Sequence, residues 1–159
     1  MTEPRLRSAV RAVVLDPADR ILLVRFSFPE ASMWACPGGG IEDGESPDQA
    51  IIRELAEEAG LVGFTLGPVI WRREHHLPLF GGRWDGQVEQ YYLVRTDAFE
   101  PMPHFSAEEL QKEYVTGIRW WEPGELATST ERFAPRRLPE LIAALQRGEV
   151  PDPPIDTGV

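Results

Sequence analysis

Three glutamates in one short segment have the residue type and the spacing that could do chemistry. Glu54, Glu57 and Glu58 all lie within the segment PDQAIIRELAEEAG. On a helix that turns about 100° per residue, they fall within an arc of roughly 100°. Three like charges on one face repel one another, so the ordinary interpretation is a solvated acidic surface on which Arg53 pairs with Glu57. The alternative is that the oxygens bind a hard divalent cation, for which carboxylates are preferred ligands.

The segment that carries these glutamates predicts a helix with well-defined ends. Ser46 is a favourable N-cap, Pro47 suits the first helical position, and Gln49 can close a capping box back to Ser46. Gly60 supplies a left-handed stop at the other end. Apolar residues at i, i+4 and i+8 predict one buried stripe beside the acidic arc. These residues are Ile51, Leu55 and Ala59.

A wider pattern surrounds this helix. Gly39 is followed after five residues by Glu45, and after seven more by the run RELAEEAGL, which ends at Leu61. This pattern resembles the Nudix box at every constrained position. The resemblance implies an enzyme that uses Mg²⁺ or Mn²⁺ to hydrolyse a nucleoside diphosphate linked to another group. It also implies an α/β fold, namely an α/β/α sandwich around a mixed β-sheet, with the loop–helix–loop of the box and a C-terminal helix.

The resemblance further implies roles for individual residues. The side chains of Glu57 and Glu58 and the main-chain carbonyl of Gly38 would bind the metal, and Glu54 would act as a metal ligand or as the catalytic general base. The structural positions of the box are Gly39, Glu45, Arg53 and Gly60. We expect the glutamate and the arginine of this second set to form an ion pair that fixes the loop against the helix.

A general base can also come from outside the box, because some related proteins use a glutamate from the loop before the last core strand. Among the glutamates of that loop, Glu113 lies closest to the strand around Trp120 and is the first candidate for catalysis. Glu109 is the second candidate, and it also stands at the N3 position of a helical turn that Ser106 could cap. The alternative is that these glutamates are exposed charges on a polar loop.

Charged residues also interrupt three predicted strands. The strand QVEQYYLVR, residues 87–95, places Glu89 among aromatic side chains. Glu89 is either a salt-bridged residue of the sheet or a carboxylate that reaches the metal. Arg11 and Arg25 interrupt two apolar strands near the N-terminus, where each is either solvated or binds phosphate. Arg25 is the better candidate for phosphate, because related proteins often carry a basic residue on this strand.

Substrate recognition is expected in the glycine-rich segment LPLFGGRWDG, residues 77–86, which predicts a hairpin loop or a lid. Phe80 and Trp84 could stack on a nucleobase, since they sit in a loop rather than in a strand. Arg83 could meet a phosphate of the same substrate. The alternative for these residues is ordinary packing and solvation.

The composition limits the compartment and the partners. The chain has 159 residues, of which 26 are acidic and 16 basic, and its formal net charge is −10. This charge predicts no binding to nucleic acid or to anionic membrane, and it would repel a phosphate substrate unless a cation reversed the local sign. A single cysteine, Cys36, fits a cytoplasmic location and is predicted to be buried. No transmembrane or signal segment is predicted.

We expect one domain over residues 1–148 and a proline-rich tail over residues 149–159, which is either disordered or laid on a partner surface. The expected partner is a small nucleotide-type substrate, and a homodimer stays open. Two functions compete with hydrolysis: a non-catalytic module that binds ADP-ribose or another nucleotide, and an isomerase that acts on an allylic diphosphate. The intact set of glutamates argues against the first. The position of Cys36 before the glycines argues against the second.

Overall fold

The structure is a computed structural model that describes residues 2–79 and 81–159. These residues form one mixed sheet and four helices. The strands are β1 (Leu6–Leu15), β2 (Ile21–Ser27), β3 (Ser32–Ala35), β4 (Gly38–Gly40), β5 (Val69–His75), β6 (Gly86–Arg95), β7 (Val115–Trp121), β8 (Phe133–Ala134) and β9 (Ile155–Asp156). The helices are α1 (Pro47–Ala59), α2 (Ala107–Lys112), α3 (Glu125–Thr128) and α4 (Leu138–Gln146).

Strand β1 lies at the centre of the sheet. The turn-forming segment DPADR joins β1 to β2 as an antiparallel hairpin, with Leu15 opposite Ile21, as its sequence predicts. Strand β1 also pairs in parallel with β6 along its whole length and antiparallel with β4. The order along the sheet is β8–β3–β2–β1–β6–β5–β9, with β4 attached to β1 and β7 attached to β2. The glycines of β4 therefore lie against residues 9–11 of β1.

Helices cover both faces of the sheet. Alternate residues of a strand point to opposite faces, so Val10, Ala12 and Val14 join the core under α1, whereas Val13 and Leu15 join the core under α4. Helices α1 and α4 each contribute an apolar stripe to one of these two cores. The result is a layered arrangement of helix, sheet and helix, which confirms the α/β fold expected from the sequence.

Helix α1 has the ends that its sequence predicts. The Ser46 hydroxyl accepts a hydrogen bond from Gln49 N at 3.1 Å, and the Gln49 side chain accepts one from Ser46 N at 2.9 Å. Gly60 ends the helix in a left-handed conformation with φ of 71°. A methyl group on Gly60 would also lie 2.7 Å from the carbonyl carbon of Met102, so both the backbone angle and the available space require glycine.

Two other predictions about buried elements are confirmed. The apolar residues Leu138, Leu141, Ile142 and Leu145 recur at helical spacing before Gly148 and predict a helix from Leu138 to Gln146, and α4 has these bounds. Cys36 is buried, and burial raises the pKa of its thiol to about 12. None of the helices in the two described ranges combines the length and the apolar character needed to cross a bilayer.

The C-terminal segment, residues 149–159, differs from both of its predicted states. Residues Ile155–Asp156 form β9, which pairs in parallel with β5 of the same chain. Thr157 is buried, and its N–H donates to Arg72 O at 2.9 Å. Main-chain hydrogen bonds therefore hold this segment against the rest of the same chain. They pair with N–H and C=O groups at the edge of β5 that would otherwise lack a strand partner. Its proline-rich composition does not reveal this pairing.

Candidate active site

Strand β4 consists of three glycines, and each has a different neighbour where a side chain would stand. Gly38 has φ of +150°, and a methyl group on it would collide with the main chain of β1. On Gly39 the methyl would lie 2.5 Å from a carboxylate oxygen of Glu54, and on Gly40 it would lie 2.6 Å from Cζ of Arg7. The absence of side chains therefore lets a carboxylate and a guanidinium approach the main chain of the same strand.

Arg53 connects the box loop, β4 and helix α1. Its Nε and Nη2 donate to the two carboxylate oxygens of Glu45 at 2.7 and 2.9 Å, so the predicted ion pair is confirmed. Its Nη2 also donates to Gly40 O at 3.0 Å. Its Nη1 donates to Glu54 at 3.0 Å and to Glu57 at 3.1 Å. Arg53 therefore holds Glu54 and Glu57 next to β4. We call Glu54, Glu57 and Glu58 of helix α1 the three box glutamates.

Glu58 is turned toward the glycines instead. Its exposed fraction is only 3%, and its Oε1 accepts a hydrogen bond from Gly38 N at 2.7 Å. Gly38 is thus held from two sides, by its pairing with β1 and by a side chain of α1. This hydrogen bond joins the glycine whose carbonyl is a predicted metal ligand to a glutamate that is also a predicted ligand.

Burial is the main influence on the pKa values of Glu54, Glu57 and Glu58. Burial raises the pKa of Glu54 to about 7, with Arg53 opposing the rise and the charges of Glu57 and Glu113 adding to it. Burial and the charge of Glu54 also raise the pKa of Glu58 well above its ordinary value. The pKa of Glu57 is raised, again chiefly by burial. A cation placed among these carboxylates would favour their charged forms and reverse the shifts.

The donor atoms at this site fit a hard divalent cation. The box glutamates and the main chain of β4 offer carboxylate and carbonyl oxygens, which Mg²⁺ and Mn²⁺ prefer. Within residues 2–79 and 81–159, no three carboxylate, imidazole or thiol groups converge closely enough to hold an ion. Arg53 Nη1 donates to both Glu54 and Glu57, while Glu58 accepts from Gly38 N. The chemistry of the donors fits, and two carboxylates would turn from Arg53 to a cation.

The two glutamates predicted outside the box have different surroundings. Glu113 is exposed at the C-terminal end of α2, and its charge acts on all three box glutamates. Glu109 closes the capping box of α2, where its carboxylate accepts a hydrogen bond from Ser106 N at 3.0 Å. The contact of Glu109 is the structural one that its N3 position predicts. Glu113 is therefore the better placed of the two for chemistry at the box.

Arg7 is a basic residue at the site that the sequence pattern does not single out. Its guanidinium packs over Gly40, and its Nη1 donates to Gln87 Oε1 at 3.0 Å. Burial and the charge of Arg11 lower its pKa, and the charges of Glu113 and Glu54 oppose that fall. Its position depends on the pairing of β1 with both β4 and β6, which no local pattern reveals. A half-buried guanidinium beside an acidic cluster is well suited to binding phosphate oxygens.

Both carboxylate oxygens of Glu89 are engaged by arginines. Arg11 Nε donates to Oε2, and Arg73 Nη1 donates to Oε1 at 2.6 Å. Burial alone would raise the pKa of the Glu89 carboxyl, but the two guanidiniums outweigh burial and lower this pKa to about 2. These contacts match the interpretation of Glu89 as a salt-bridged residue of the sheet and do not support its assignment as a metal ligand. They also correct both interpretations of Arg11, which is neither solvated nor free for phosphate.

The predicted substrate residues lie on β2 and in the loop before β6. Arg25 is exposed, and its Nη2 lies 3.4 Å from Ser32 Oγ. The Arg83 guanidinium lies over the Trp84 ring at 5.9 Å from its centroid, in a loop that a β-bridge closes into a hairpin. Phe80 lies outside the described residues. Arg83 and Trp84 therefore lie within the range of a cation–π contact with each other, and their predicted contacts with substrate stay predictions.

A cleft opens beside Glu58, between helix α2 and strand β7. Its volume is about 360 Å³, which is within the usual range for small-molecule sites. Its walls are mainly apolar and include Leu110, Val115 and Ile118. The cleft thus offers an apolar surface next to the acidic cluster, where part of a substrate beyond the phosphates could lie.

Known proteins are similar to this chain in amino-acid sequence. The chain matches the NUDIX domain family over residues 5–143. Nudix hydrolase 25 of Arabidopsis thaliana is 32% identical over 142 residues, which cover 82% of this chain and 81% of that protein. The RNA pyrophosphohydrolase of Vibrio atlanticus (strain LGP32) is 34% identical over 124 residues, which cover 70% of this chain and 71% of that protein. The chain therefore belongs to the Nudix family, and it is an enzyme of the pyrophosphohydrolase class.

Solved structures share the fold at lower identity. The NUDIX domain of Shewanella oneidensis NrtR, complexed with ADP ribose, superimposes with a TM-score of 0.66 at 21% identity and covers 92% of this chain and 90% of that chain. The MutT protein of Methanosarcina mazei Go1 superimposes with a TM-score of 0.67 at 18% identity and covers 93% and 98%. These likenesses extend the agreement to the fold of nearly the whole chain.

Proposed function

We propose that the chain uses a divalent cation to hydrolyse a pyrophosphate linkage in a nucleoside diphosphate derivative. The observation that carries this proposal is the group formed by Glu54, Glu57 and Glu58 beside a glycine strand, where burial, and after it the charges of neighbouring glutamates, raises their pKa values. A pyrophosphate substrate would bring further negative charge to the same place. A bound cation would relieve both repulsions, and it would therefore hold substrate and enzyme together.

Glu57, Glu58 and the main-chain carbonyl of Gly38 are the proposed ligands of Mg²⁺ or Mn²⁺, and Glu54 is a ligand or the base. When bound, the cation would neutralise phosphate oxygens and make the attacking water more acidic. Glu89 is left out of this set because two arginines engage both of its oxygens. The oxygen-only donor set supports a hard cation rather than zinc.

Other residues of the chain would supply the proton transfer and the phosphate contacts. Glu113 is the proposed general base, because it is exposed beside the box and can meet a water molecule there. It is preferred to Glu109, whose carboxylate is bonded to Ser106 N. Arg7 is proposed to hold phosphate oxygens of the substrate, since its guanidinium already lies against β4.

The proposed substrates are nucleoside triphosphates, dinucleoside polyphosphates, ADP-ribose and nucleotide sugars. A second candidate is RNA with a 5′-polyphosphate end, which is favoured by relatives that are RNA pyrophosphohydrolases and are 34% identical to this chain. RNA contains a pyrophosphate linkage only at such an end, so a small binding site would serve for both classes. The net charge of −10 opposes wider contacts with an RNA backbone.

A non-catalytic module that binds ADP-ribose is the alternative from another functional class. The shared fold with the NrtR domain that was complexed with ADP ribose is the observation in its favour. The alternative does not explain why Glu54, Glu57 and Glu58 are all present, since their mutual repulsion costs stability and ligand binding alone does not require them.

One screen tests the proposal. The purified protein would be incubated with Mg²⁺ or Mn²⁺ and each proposed nucleotide, and with a short 5′-triphosphorylated RNA, and the released phosphate would be measured. We expect turnover of at least one substrate and a loss of about 10³-fold in the double variant Glu57→Gln, Glu58→Gln. Absence of turnover with every substrate, or full activity of the double variant, would contradict the proposal.

The proposed base has its own matched pair of variants. Glu113→Gln should lower kcat far more than it changes KM, because it removes a proton acceptor and leaves the binding site intact. Glu108→Gln, at another exposed position of the same element, should change neither constant by more than about twofold, as surface substitutions usually do. A silent Glu113→Gln together with an inactive Glu54→Gln would place the base in the box.

A further inference from the structure

A buried ion cluster crosses three neighbouring strands of the sheet. Ala9 of β1 and Arg73 of β5 flank Glu89 of β6 in register, and Arg11 lies two residues further along β1. The Glu89 side chain is fully buried, and the side chains of Arg11 and Arg73 are only 13% and 12% exposed. The cluster therefore holds two cations and one anion in a place where charges are costly.

The two arginines of this cluster differ in what else they contact. Arg11 Nη1 donates to Cys36 O at 2.9 Å, and its guanidinium lies over the Phe26 ring at 5.4 Å from the centroid. Arg73 donates to Glu89, and its buried Nε has no hydrogen-bond partner within residues 2–79 and 81–159. Only the first of these two arginines thus has a described contact with the segment that leads into the box.

The contact between Arg11 and Cys36 lies close to the proposed metal ligands. Cys36 is followed by Pro37 and then by Gly38, whose N–H binds the Glu58 carboxylate at 2.7 Å. Gly38 also packs tightly on Arg11, because a methyl group on it would lie 2.7 Å from Arg11 Cα and 2.9 Å from Arg11 Cγ. One arginine therefore touches the entrance of β4 with its main chain, its aliphatic stem and its guanidinium.

Stability alone does not account for such a cluster. Replacing a buried ion pair by apolar residues of similar volume is often neutral or stabilising, because the charges must be desolvated. Buried polar groups that orient the ligands of a metal, by contrast, typically change affinity or activity by about 10–100-fold when they are removed. The contacts of Arg11 with Cys36 O and with Gly38 are made to the segment that contains one of the proposed ligands.

We propose that Glu89 and Arg11 form a positioning pair, which fixes the Cys36–Gly38 segment and thereby sets the Gly38 carbonyl and the Glu58 carboxylate for the cation. In this pair Glu89 holds the guanidinium of Arg11, and Arg11 holds Cys36 O. Arg73 binds the other carboxylate oxygen of Glu89 and, among the described residues, has no recorded contact with the Cys36–Gly38 segment, so it is outside the pair. The inference rests on the proposed function, because it assigns a task to this pair in metal binding.

The difference between the two arginines provides the test. Arg11→Gln removes the contact with Cys36 O, whereas Arg73→Gln removes a similarly buried arginine from the same glutamate and leaves that contact in place. The affinity of each purified variant for Mn²⁺ alone would be measured by isothermal titration calorimetry, at a temperature where circular dichroism shows that it is folded. Substrate kinetics would then be measured as a function of Mn²⁺ concentration.

We expect Arg11→Gln to weaken Mn²⁺ binding by about 10–100-fold and to recover part of its turnover at high Mn²⁺. Arg73→Gln should stay within about twofold of the wild type in both measurements, although it too is less stable. Arg11→Lys covers the case in which Arg11→Gln does not fold. It keeps the charge beside Glu89, but it lacks the planar fork with which Nε meets Glu89 while Nη1 meets Cys36 O, so it should also bind Mn²⁺ at least about tenfold more weakly.

The outcomes separate this inference from the proposed function. If the wild type neither binds Mn²⁺ nor hydrolyses any substrate, the proposed function fails and the positioning pair fails with it. If the wild type binds and turns over but the Arg11 variants match it, only the positioning pair is overturned. Equal losses in the Arg11 and Arg73 variants would overturn it as well, because they would show a general effect of stability.

Discussion

Alanine substitutions in β4 should have three different effects at three consecutive positions, because each added methyl meets a different group. On Gly38 the methyl meets the main chain of β1, which cannot move without disturbing the sheet. On Gly39 it meets the end of the Glu54 side chain, and on Gly40 it meets the guanidinium of Arg7. Both of these side-chain ends can move while the fold stays intact.

Gly38→Ala is expected to lower the stability of the fold. Its φ of +150° is a conformation that L-residues rarely adopt, and such strain costs about 1–3 kcal/mol. Overpacking against the rigid main chain of β1 adds a cost of similar size, about 1–3 kcal/mol. For a chain of this length each kcal/mol lowers Tm by roughly 2–4 °C, so we expect Tm to fall by about 5 °C or more.

Gly39→Ala is expected to lower the turnover rate and to leave the stability nearly unchanged. The nearest carboxylate oxygen of Glu54 lies 2.5 Å from the methyl position and must withdraw to ordinary contact at 3.4 Å, a shift of about 0.9 Å. A misplacement of about 1 Å at a reacting group can cost about 10²-fold in rate. The side chain moves at its flexible end, so Tm should change by no more than about 2 °C.

Gly40→Ala is expected to weaken substrate binding. Cζ of Arg7 lies 2.6 Å from the methyl position, so the guanidinium must move away from β4 and from the place where it is proposed to hold phosphate oxygens. Because Arg7 is proposed to bind substrate rather than to transfer a proton, KM should rise by about tenfold while kcat changes less. The glutamates of the box are not displaced by this change.

Thermal unfolding and steady-state kinetics on the three variants test this set together. The wild type and the Glu57→Gln, Glu58→Gln double variant provide the upper and lower limits of activity. The reasoning would be refuted if Gly39→Ala kept full turnover, since Glu54 would then tolerate displacement. It would equally be refuted if Gly38→Ala were as stable as Gly39→Ala, because the contact with β1 would then carry no cost.

Two further predictions concern stability. The folded pKa of Glu89, about 2, lies below its ordinary value of 4.5, so its ion pairs add stability above about pH 4.5 that is lost as the pH falls toward 2. The gap in Tm between wild type and Glu89→Gln should therefore narrow between about pH 6 and about pH 3, and a constant gap would contradict the depressed pKa. Gly44 and Gly60 have similar φ, 77° and 71°, but only Gly60 faces a close contact, the carbonyl of Met102. In urea unfolding Gly44→Ala should cost about 1 kcal/mol and Gly60→Ala clearly more, and equal costs would contradict the contact.

The features that the sequence predicts well depend on residues close together in the chain. The capping box of α1, its left-handed end at Gly60 and the bounds of α4 follow from patterns a few residues long. The pairing of Glu45 with Arg53 spans eight residues, and the resemblance to the box predicts it. For these elements local geometry and hydrogen-bonding capacity leave few alternatives.

The features that the sequence does not predict depend on the register between distant strands. Arg11 and Glu89 are 78 positions apart, and their contact exists because β1 and β6 pair in one particular register. Arg7 reaches the box through the same pairing, and the tail is ordered because β5 has an open edge. A strand pattern shows which residues share a face, but the partner of each residue is set by the whole sheet. This is why Arg11 could be interpreted as solvated from the sequence.

The contacts of Arg53 suggest how the site can exist both with and without a cation. Without a cation, Nη1 of Arg53 balances Glu54 and Glu57, which would otherwise repel each other. Its other two nitrogens are anchored to Glu45 and to Gly40 O. A cation that draws the two glutamates away would therefore leave Arg53 held by these anchors, so the loop would not be released. In a chain with a net charge of −10, this anchored guanidinium offsets part of the repulsion between the carboxylates of the cluster.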